Sequence, residues 1–268
     1  MDVREFELAM LERFPLCWAE PWDNVGLAVG DPGAAVTGVA VALDATPRNI
    51  RRAAAEGCNV LLTHHPVWID PPRRLAPRAA DAGYAGSALY EAVRSGVSIV
   101  SLHTNLDRSP EARAALPALV DMAPESSLEH AQDPDLPGLG AWCALDEPLS
   151  LRDVAEKAGA AFGCVPRVWG EAASPVRKAA FLGGSLGDFG VEAARLGADV
   201  VVAGEAGYHV CQDVLERGVS LVLLGHDRSE EPLTRVLADA AAQVAPDAAI
   251  RVLPTEYQWW SANEGAFE

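Results

Sequence analysis

The chain has 268 residues, half of them hydrophobic, which is enough for a sizeable core in one large domain or two small ones and excludes global disorder. A net charge of −17 and an isoelectric point near 4.7 exclude a surface built to neutralise nucleic-acid phosphates or to dock on anionic membranes. An anionic small molecule stays compatible if bound cations reverse the local sign.

The five cysteines (Cys17, Cys58, Cys143, Cys164 and Cys211) lie far apart and form no C-x-x-C, a usage that suits a reducing compartment. The opening residues 1–8 are charged and amphipathic, without the apolar core of a signal peptide. No apolar run is long enough to span a bilayer, so a cytoplasmic location is expected.

In chain order, the opening reads as a helix ending near Phe14-Pro15. A loop around Trp22-Asp23-Asn24-Val25-Gly26 follows, then strands over 27–29 and 38–43 about a turn at Asp31-Pro32-Gly33. Thr46-Pro47 supplies an N-cap and a first-turn proline for a helix through Glu56, stopped by Gly57. A strand to Thr63, a Pro/Arg-rich loop over 66–77, a helix over 85–95 and a strand to Leu102 complete a strand–helix–strand–helix–strand series.

Residues 122–138, rich in Pro, Glu, Asp and Ser, read as a linker or long loop. Residues 140–169 add a strand–helix–strand piece with its helix over 151–158. A second series follows: strand 180–182, the turn Gly183-Gly184-Ser185-Leu186-Gly187, helix 189–196, strand 200–202, helix 210–217 and strand 219–224. The tail gives a final strand over 250–253 and an aromatic segment, Tyr257-Gln258-Trp259-Trp260, expected to pack.

The two series resemble each other. Residues 54–60 line up with 194–200 at an offset of 140 (197 − 57), and 96–100 with 218–222 at an offset of 122 (218 − 96). The first alignment sets His65 opposite Glu205. The expected architecture is therefore α/β: two related halves with mostly parallel strands, divided into residues 1–125 and 126–268, the C-terminal part packing back onto the first. Two ordinary βα units that happen to look alike are the alternative.

Three apolar runs end in histidine: Val60-Leu61-Leu62-Thr63-His64-His65-Pro66, Ser98-Ile99-Val100-Ser101-Leu102-His103, and Leu221-Val222-Leu223-Leu224-Gly225-His226. Each is short and non-alternating, as in a parallel strand covered on both faces, and ligand sites of open α/β sheets lie at the carboxyl ends of such strands. Asp107 follows His103 by four residues. His226 and Glu230 are i and i+4, on one face of a helix beginning after Gly225. His64 and His65 would alternate inside a strand, but Pro66 breaks the ladder and lets both turn to one cavity.

Imidazoles and carboxylates are the usual ligands of divalent metals, and no thiolate is placed to compete. Three histidines with two carboxylates exceed the needs of one tetrahedral zinc and suit a two-metal site with a bridging carboxylate and water. The competing readings, a hydrogen-bonded loop histidine or a solvated His–Glu helix pair, weaken when all the groups fall at neighbouring strand ends. A nucleophilic serine lacks its G-x-S-x-G elbow. Gly183-Gly184-Ser185-Leu186-Gly187 is not a Walker A loop, since no Gly-Lys-Ser/Thr follows.

At these residues the chain resembles a family. Trp22-Asp23-Asn24-Val25-Gly26-Leu27, Thr63-His64-His65-Pro66, His103-Thr104-Asn105-Leu106-Asp107, Gly204-Glu205 with Tyr208-His209, and Gly225-His226 with Ser229-Glu230 are similar to blocks of the NIF3-like proteins, also called GTP cyclohydrolase 1 type 2 homologues.

The resemblance implies a two-domain α/β protein with a dinuclear site between its halves at strand carboxyl ends, assembled as a toroidal homohexamer. It implies His64, His65, Asp107, His226 and Glu230 as ligands of two divalent ions (Zn, Mn or Fe). His103 and Glu205 are implied as acid/base groups lining the cavity. It further implies a hydrolase acting on a small molecule, with purine-ring opening of GTP or a related nucleotide as the named case. The alternative is a non-catalytic metal-binding or regulatory protein acting through partners. Asp227-Arg228 departs from the family, which more often has an aromatic after the histidine.

Overall fold

A computed structural model describes residues 1–256 and 259. Asp2 caps helix α1 (Val3–Arg13) in a capping box with Glu5, and a 3-10 turn (Leu16–Trp18) leads into strand β1 (Gly26–Val29). Strand β2 (Gly38–Ala42) is followed by α2 (Pro47–Ala55), whose Thr46 side chain accepts from the Asn49 amide, a cap worth about 1 kcal/mol. Then come β3 (Val60–Thr63), α3 (Ala79–Ser95), β4 (Ser98–Ser101), the single turn α4 (Thr104–Asp107) and α5 (Pro110–Ala118). Helix α3 begins six residues before the expected start, because a short helical segment precedes the Gly83 kink (φ 71°) and runs on into the main helix.

Residues 122–138 form no helix or strand, as expected of a long connection. The second half runs β5 (Ala141–Ser150), α6 (Leu151–Phe162), β6 (Arg167–Trp169), β7 (Pro175–Ser185), α7 (Phe189–Arg195), β8 (Val200–Glu205), α8 (Tyr208–Glu216) and β9 (Ser220–Leu223). Helix α9 (His226–Glu230), α10 (Leu233–Val244) and β10 (Ala249–Val252) complete the order.

The strands build two five-stranded mixed sheets, β1-β4-β3-β2-β10 and β5-β7-β8-β9-β6. β2, β3, β4 and β10 run parallel with β1 antiparallel at one edge; β7, β8 and β9 run parallel between antiparallel β5 and β6. This is the expected pair of α/β halves.

Alternation along the central strands explains their unbroken apolar runs. Val39 and Val41 of β2 face a core that also takes Phe6 and Met10 of α1, Leu237 of α10, and Phe181 and Val202 of the second sheet. Ala40 and Ala42 face the opposite way, against Ile50 of α2 and Ala88 of α3. On the outer side of the second sheet, Val201 and Leu221 pack with Ala193 of α7 and Val214 of α8. The layers therefore share one central core, which sets the carboxyl ends of β3, β4, β8 and β9 against each other. No helix among the described residues is long and apolar enough to cross a membrane.

Candidate metal centre

His64 and His65 leave the end of β3 with their rings 5.1 Å apart, and His103, following β4, lies 5.2 Å from the His64 ring. From the second half, His226 opens α9 and its ring stands 5.4 Å from His65. The lapse of alternation at Pro66 does bring both neighbouring histidines to one side.

Every ring in this cluster is held by its Nδ1. That of His64 donates to the Leu102 carbonyl at 3.1 Å, that of His65 to Asp44 at 2.9 Å, that of His103 to Asp23 at 3.0 Å and that of His226 to Glu205 at 2.9 Å. Carbonyl and carboxylate oxygens only accept, so each Nδ1 carries a proton and the Nε2 atoms are left to face the cluster, where without a metal those of His65 and His226 also carry one toward Glu230. This is the arrangement by which proteins orient metal-binding imidazoles.

Glu230 is the shared carboxylate. Its Oε2 lies 2.8 Å from His65 Nε2 and 3.1 Å from His226 Nε2, and its Oε1 lies 3.8 Å from His64 Nε2. Asp107 closes the other side, 3.6 Å from His64 Nε2. Fully buried His64 Nε2 has no hydrogen-bond partner, which burial makes costly unless something else takes its lone pair. Two sets of donor atoms converge closely enough to hold an ion: His64, His65 and His103, and His65, His226 and Glu230. The donors are imidazole nitrogen and carboxylate oxygen, which fit Zn, Mn or Fe.

The electrostatics follow from this crowding. Burial opposes charge on His65, but its hydrogen bonds to Asp44 and Glu230 win and raise it to about 10. The bond to Glu230 raises His226 to about 9, against partial burial. Glu230 is held well below the usual carboxylate range, its burial outweighed by the surrounding histidines. Asp23, buried, is still pulled down to about 2 by His103 and Thr104.

Local sequence sets each position. Glycines 183 and 184 make the room for Glu230: a Cβ on Gly184 would sit 2.3 Å from Glu230 Oε1, and φ there is +60°. Ser229 Oγ accepts from the Gly184 amide at 2.9 Å and donates to the His226 carbonyl at 2.7 Å, tying α9 to the end of β7. The same segment also lines a cavity of about 510 Å³ that opens onto His103, Asp107, His226 and Glu230. Asp23 accepts both from His103 and from the Thr104 amide at 3.0 Å, so the Trp22 loop buttresses the His103 side.

All seven residues singled out from the sequence lie in or beside this cluster. His103 stands in it with the same reach as His64 and His65. Glu205 is exposed and touches the cluster only through His226 Nδ1, on the far edge of that ring from Glu230. Asp23 was visible only as part of a motif. Asp44 carried no warning beyond being a carboxylate just past the end of β2.

The departure at Asp227-Arg228 also has a partner. Trp259 Nε1 donates to Asp227 Oδ2 at 2.9 Å, and the Arg228 guanidinium lies 5.8 Å from the centre of that indole ring. Of the tail segment expected to pack, Trp259 does so while 43% exposed; Tyr257, Gln258 and Trp260 lie outside the described residues. All five cysteines are free thiols.

Comparison with known proteins agrees with the motifs. A family model described as Duf34/NIF3 (NGG1p interacting factor 3) matches residues 1–258. A Clostridium acetobutylicum protein named GTP cyclohydrolase 1 type 2 homolog is 27% identical over 227 residues, covering 84% of this chain and 83% of its own. A Streptomyces coelicolor protein of the same name is 26% identical over 258 residues, covering 91% and 88%. The crystal structure of a Bacillus cereus protein related to NIF3 shares the fold, with a TM-score of 0.85 at 19% identity over 97% of this chain and 99% of that one.

Proposed function

The chain belongs to the Duf34/NIF3 family, and on that premise we propose that it is a metal-dependent hydrolase with a dinuclear centre between its halves. The observation that carries the reading is the set of four clustered, Nδ1-anchored imidazoles, three of them (His64, His65 and His226) around the buried carboxylate of Glu230, with His64 Nε2 left unpartnered. In this proposal His64, His65, Asp107, His226 and Glu230 would hold two divalent ions (Zn, Mn or Fe). Such ions, when bound, lower the pKa of water and polarise an electrophile.

The protein's own residues do the rest. His103, fixed by Asp23 and facing the cavity, is placed to move a proton to or from the reacting atoms. Glu205 orients His226 by accepting from its Nδ1–H. A cavity next to the centre supports catalysis over a closed, purely metal-holding or partner-directed role.

The name carried by the relatives makes a purine ring compound the substrate class to try first, with GTP as its best-known nucleotide. A cytoplasmic homohexamer is the state we propose for the protein, to be checked by light scattering. The function is tested by loading untagged protein with zinc, manganese or iron and assaying purine bases, nucleosides, nucleotides and phosphoesters. Metal-dependent turnover is the expected result. Stoichiometric metal with no turnover across that panel would overturn the hydrolase in favour of the metal-binding alternative.

A further inference from the structure

Trp22 sits at the mouth of the cavity, where its edge meets the His103 ring at 6.0 Å between centroids and 72° between planes. It remains 55% exposed. Its support is rigid: the adjacent Asp23 is pinned by His103 and by both the amide and hydroxyl of Thr104, and Thr104 Oγ1 in turn accepts from the Glu20 amide at 2.9 Å. A large indole face held firmly in water beside a catalytic cluster is a stacking surface waiting for a ring. Leu116, Phe181 and Leu186 continue the cavity wall as apolar surface.

The charges on the same wall argue against a polyphosphate. Besides Asp107 and Glu230, Glu20 and Asp188 line the cavity, and Arg113 is the one arginine or lysine among its described lining residues. Arg108, beside the wall, is taken up by Glu20 and Glu129 and so offers no free positive charge, and the Arg113 guanidinium donates to the Leu136 carbonyl at 3.3 Å. Ions at the cluster would offset Asp107 and Glu230, yet the rest of the lining keeps the acidic Asp188 and offers no cationic groove for a phosphate chain.

We propose that Trp22 stacks a planar heteroaromatic ring presented to the centre, and that the natural ligand is an unphosphorylated ring compound of the nucleobase or nucleoside class. The assignment rests on the hydrolase reading for its chemistry but is tested by binding.

The test titrates guanosine and GTP into zinc-loaded full-length protein, followed by calorimetry and tryptophan fluorescence. Guanosine should bind more tightly than GTP and quench the emission. Trp22→Ala should weaken guanosine roughly tenfold, as loss of one stacking face does. Trp22→Phe should restore most of the affinity while abolishing its share of the quenching, a signature that a merely structural role would not give. Tighter binding of GTP, guanosine affinity unchanged in Trp22→Ala, or binding of neither compound would each overturn the inference. Binding as expected with no turnover across the whole panel, phosphoesters included, would leave this inference standing and sink the hydrolase.

Discussion

At the scale of single residues the centre is governed by which nitrogen of each histidine is occupied. Asp44 is the least replaceable of the anchoring groups, because His65 is the ring that belongs to both donor sets. Asp44→Asn should weaken metal binding about 10- to 100-fold, the usual effect of losing such an anchor, while circular dichroism stays native. His226→Ala should remove at least one ion from a folded protein, whereas His103→Ala should keep the metal and lose turnover. Plasma emission spectroscopy on the two variants decides this, and equal metal loss would make His103 a ligand.

Titration gives a third check. His65 and His226, raised to about 10 and about 9, stay protonated at neutral pH in metal-free protein. Their contribution to stability is complete below their ordinary value of about 6.5 and is lost as pH rises through about 9 and then 10. The melting temperature of metal-free protein should fall across that window. Metal uptake at neutral pH should also release protons, seen as a buffer-dependent calorimetric enthalpy. The histidines were legible in the sequence because each ends an apolar strand. Asp44 and the bracing role of Asp23 were not, since a single aspartate after a strand has no spacing to mark its partner across 21 or 80 residues.

Among the elements, the glycine-rich carboxyl end of β7 has the sharpest consequence. The sequence reads residues 183–187 as a turn, but β7 runs on through Ser185 with an irregularity in its ladder at Gly183 and Gly184; the use of these glycines is steric. Gly184→Ala places a methyl group against the Glu230 carboxylate and strains a left-handed backbone by about 1–2 kcal/mol. It should lower the melting temperature modestly but metal content severely, whereas Gly187→Ala, whose Cβ meets nothing within 4 Å, should suffer the backbone strain alone. Comparing metal content in the two variants separates crowding of Glu230 from backbone strain. Strands were the easiest elements to read, because burial on both faces leaves uninterrupted apolar runs. Helices α5 and α10 escaped notice, although Ser109-Pro110 is a cap and first-turn proline of the same kind as Thr46-Pro47.

Over the whole molecule the two halves repeat one plan. β4-β3-β2 and β9-β8-β7 occupy the same places in their sheets, so the end of β3 with its paired histidines corresponds to the end of β8 with Glu205. The internal offsets of 140 and 122 in the sequence reflect this layout. Sequence comparison could pair equivalent strands, but not foretell that the sheets face each other across α1, α5 and α10, because that depends on core packing between distant segments.

One strand crosses the proposed division near residue 125. β10, laid down after the whole second half, pairs in parallel with β2, and Leu253 N reaches back to the Val41 carbonyl at 2.8 Å. During synthesis the first sheet must therefore wait, with an open β2 edge and part of its inner face bare, until the second half has been made. Long-range closure of this kind is slow and exposes aggregation-prone surface. A fragment of residues 1–125 should accordingly be recovered aggregated or protease-sensitive, and adding residues 126–268 in trans should rescue its solubility. A monomeric, protease-resistant fragment would show that the first half does not need its final strand. In the folded protein β2 and β10 meet in one sheet although the whole second half lies between them, so a copy cut short within that half is left with an unsealed edge.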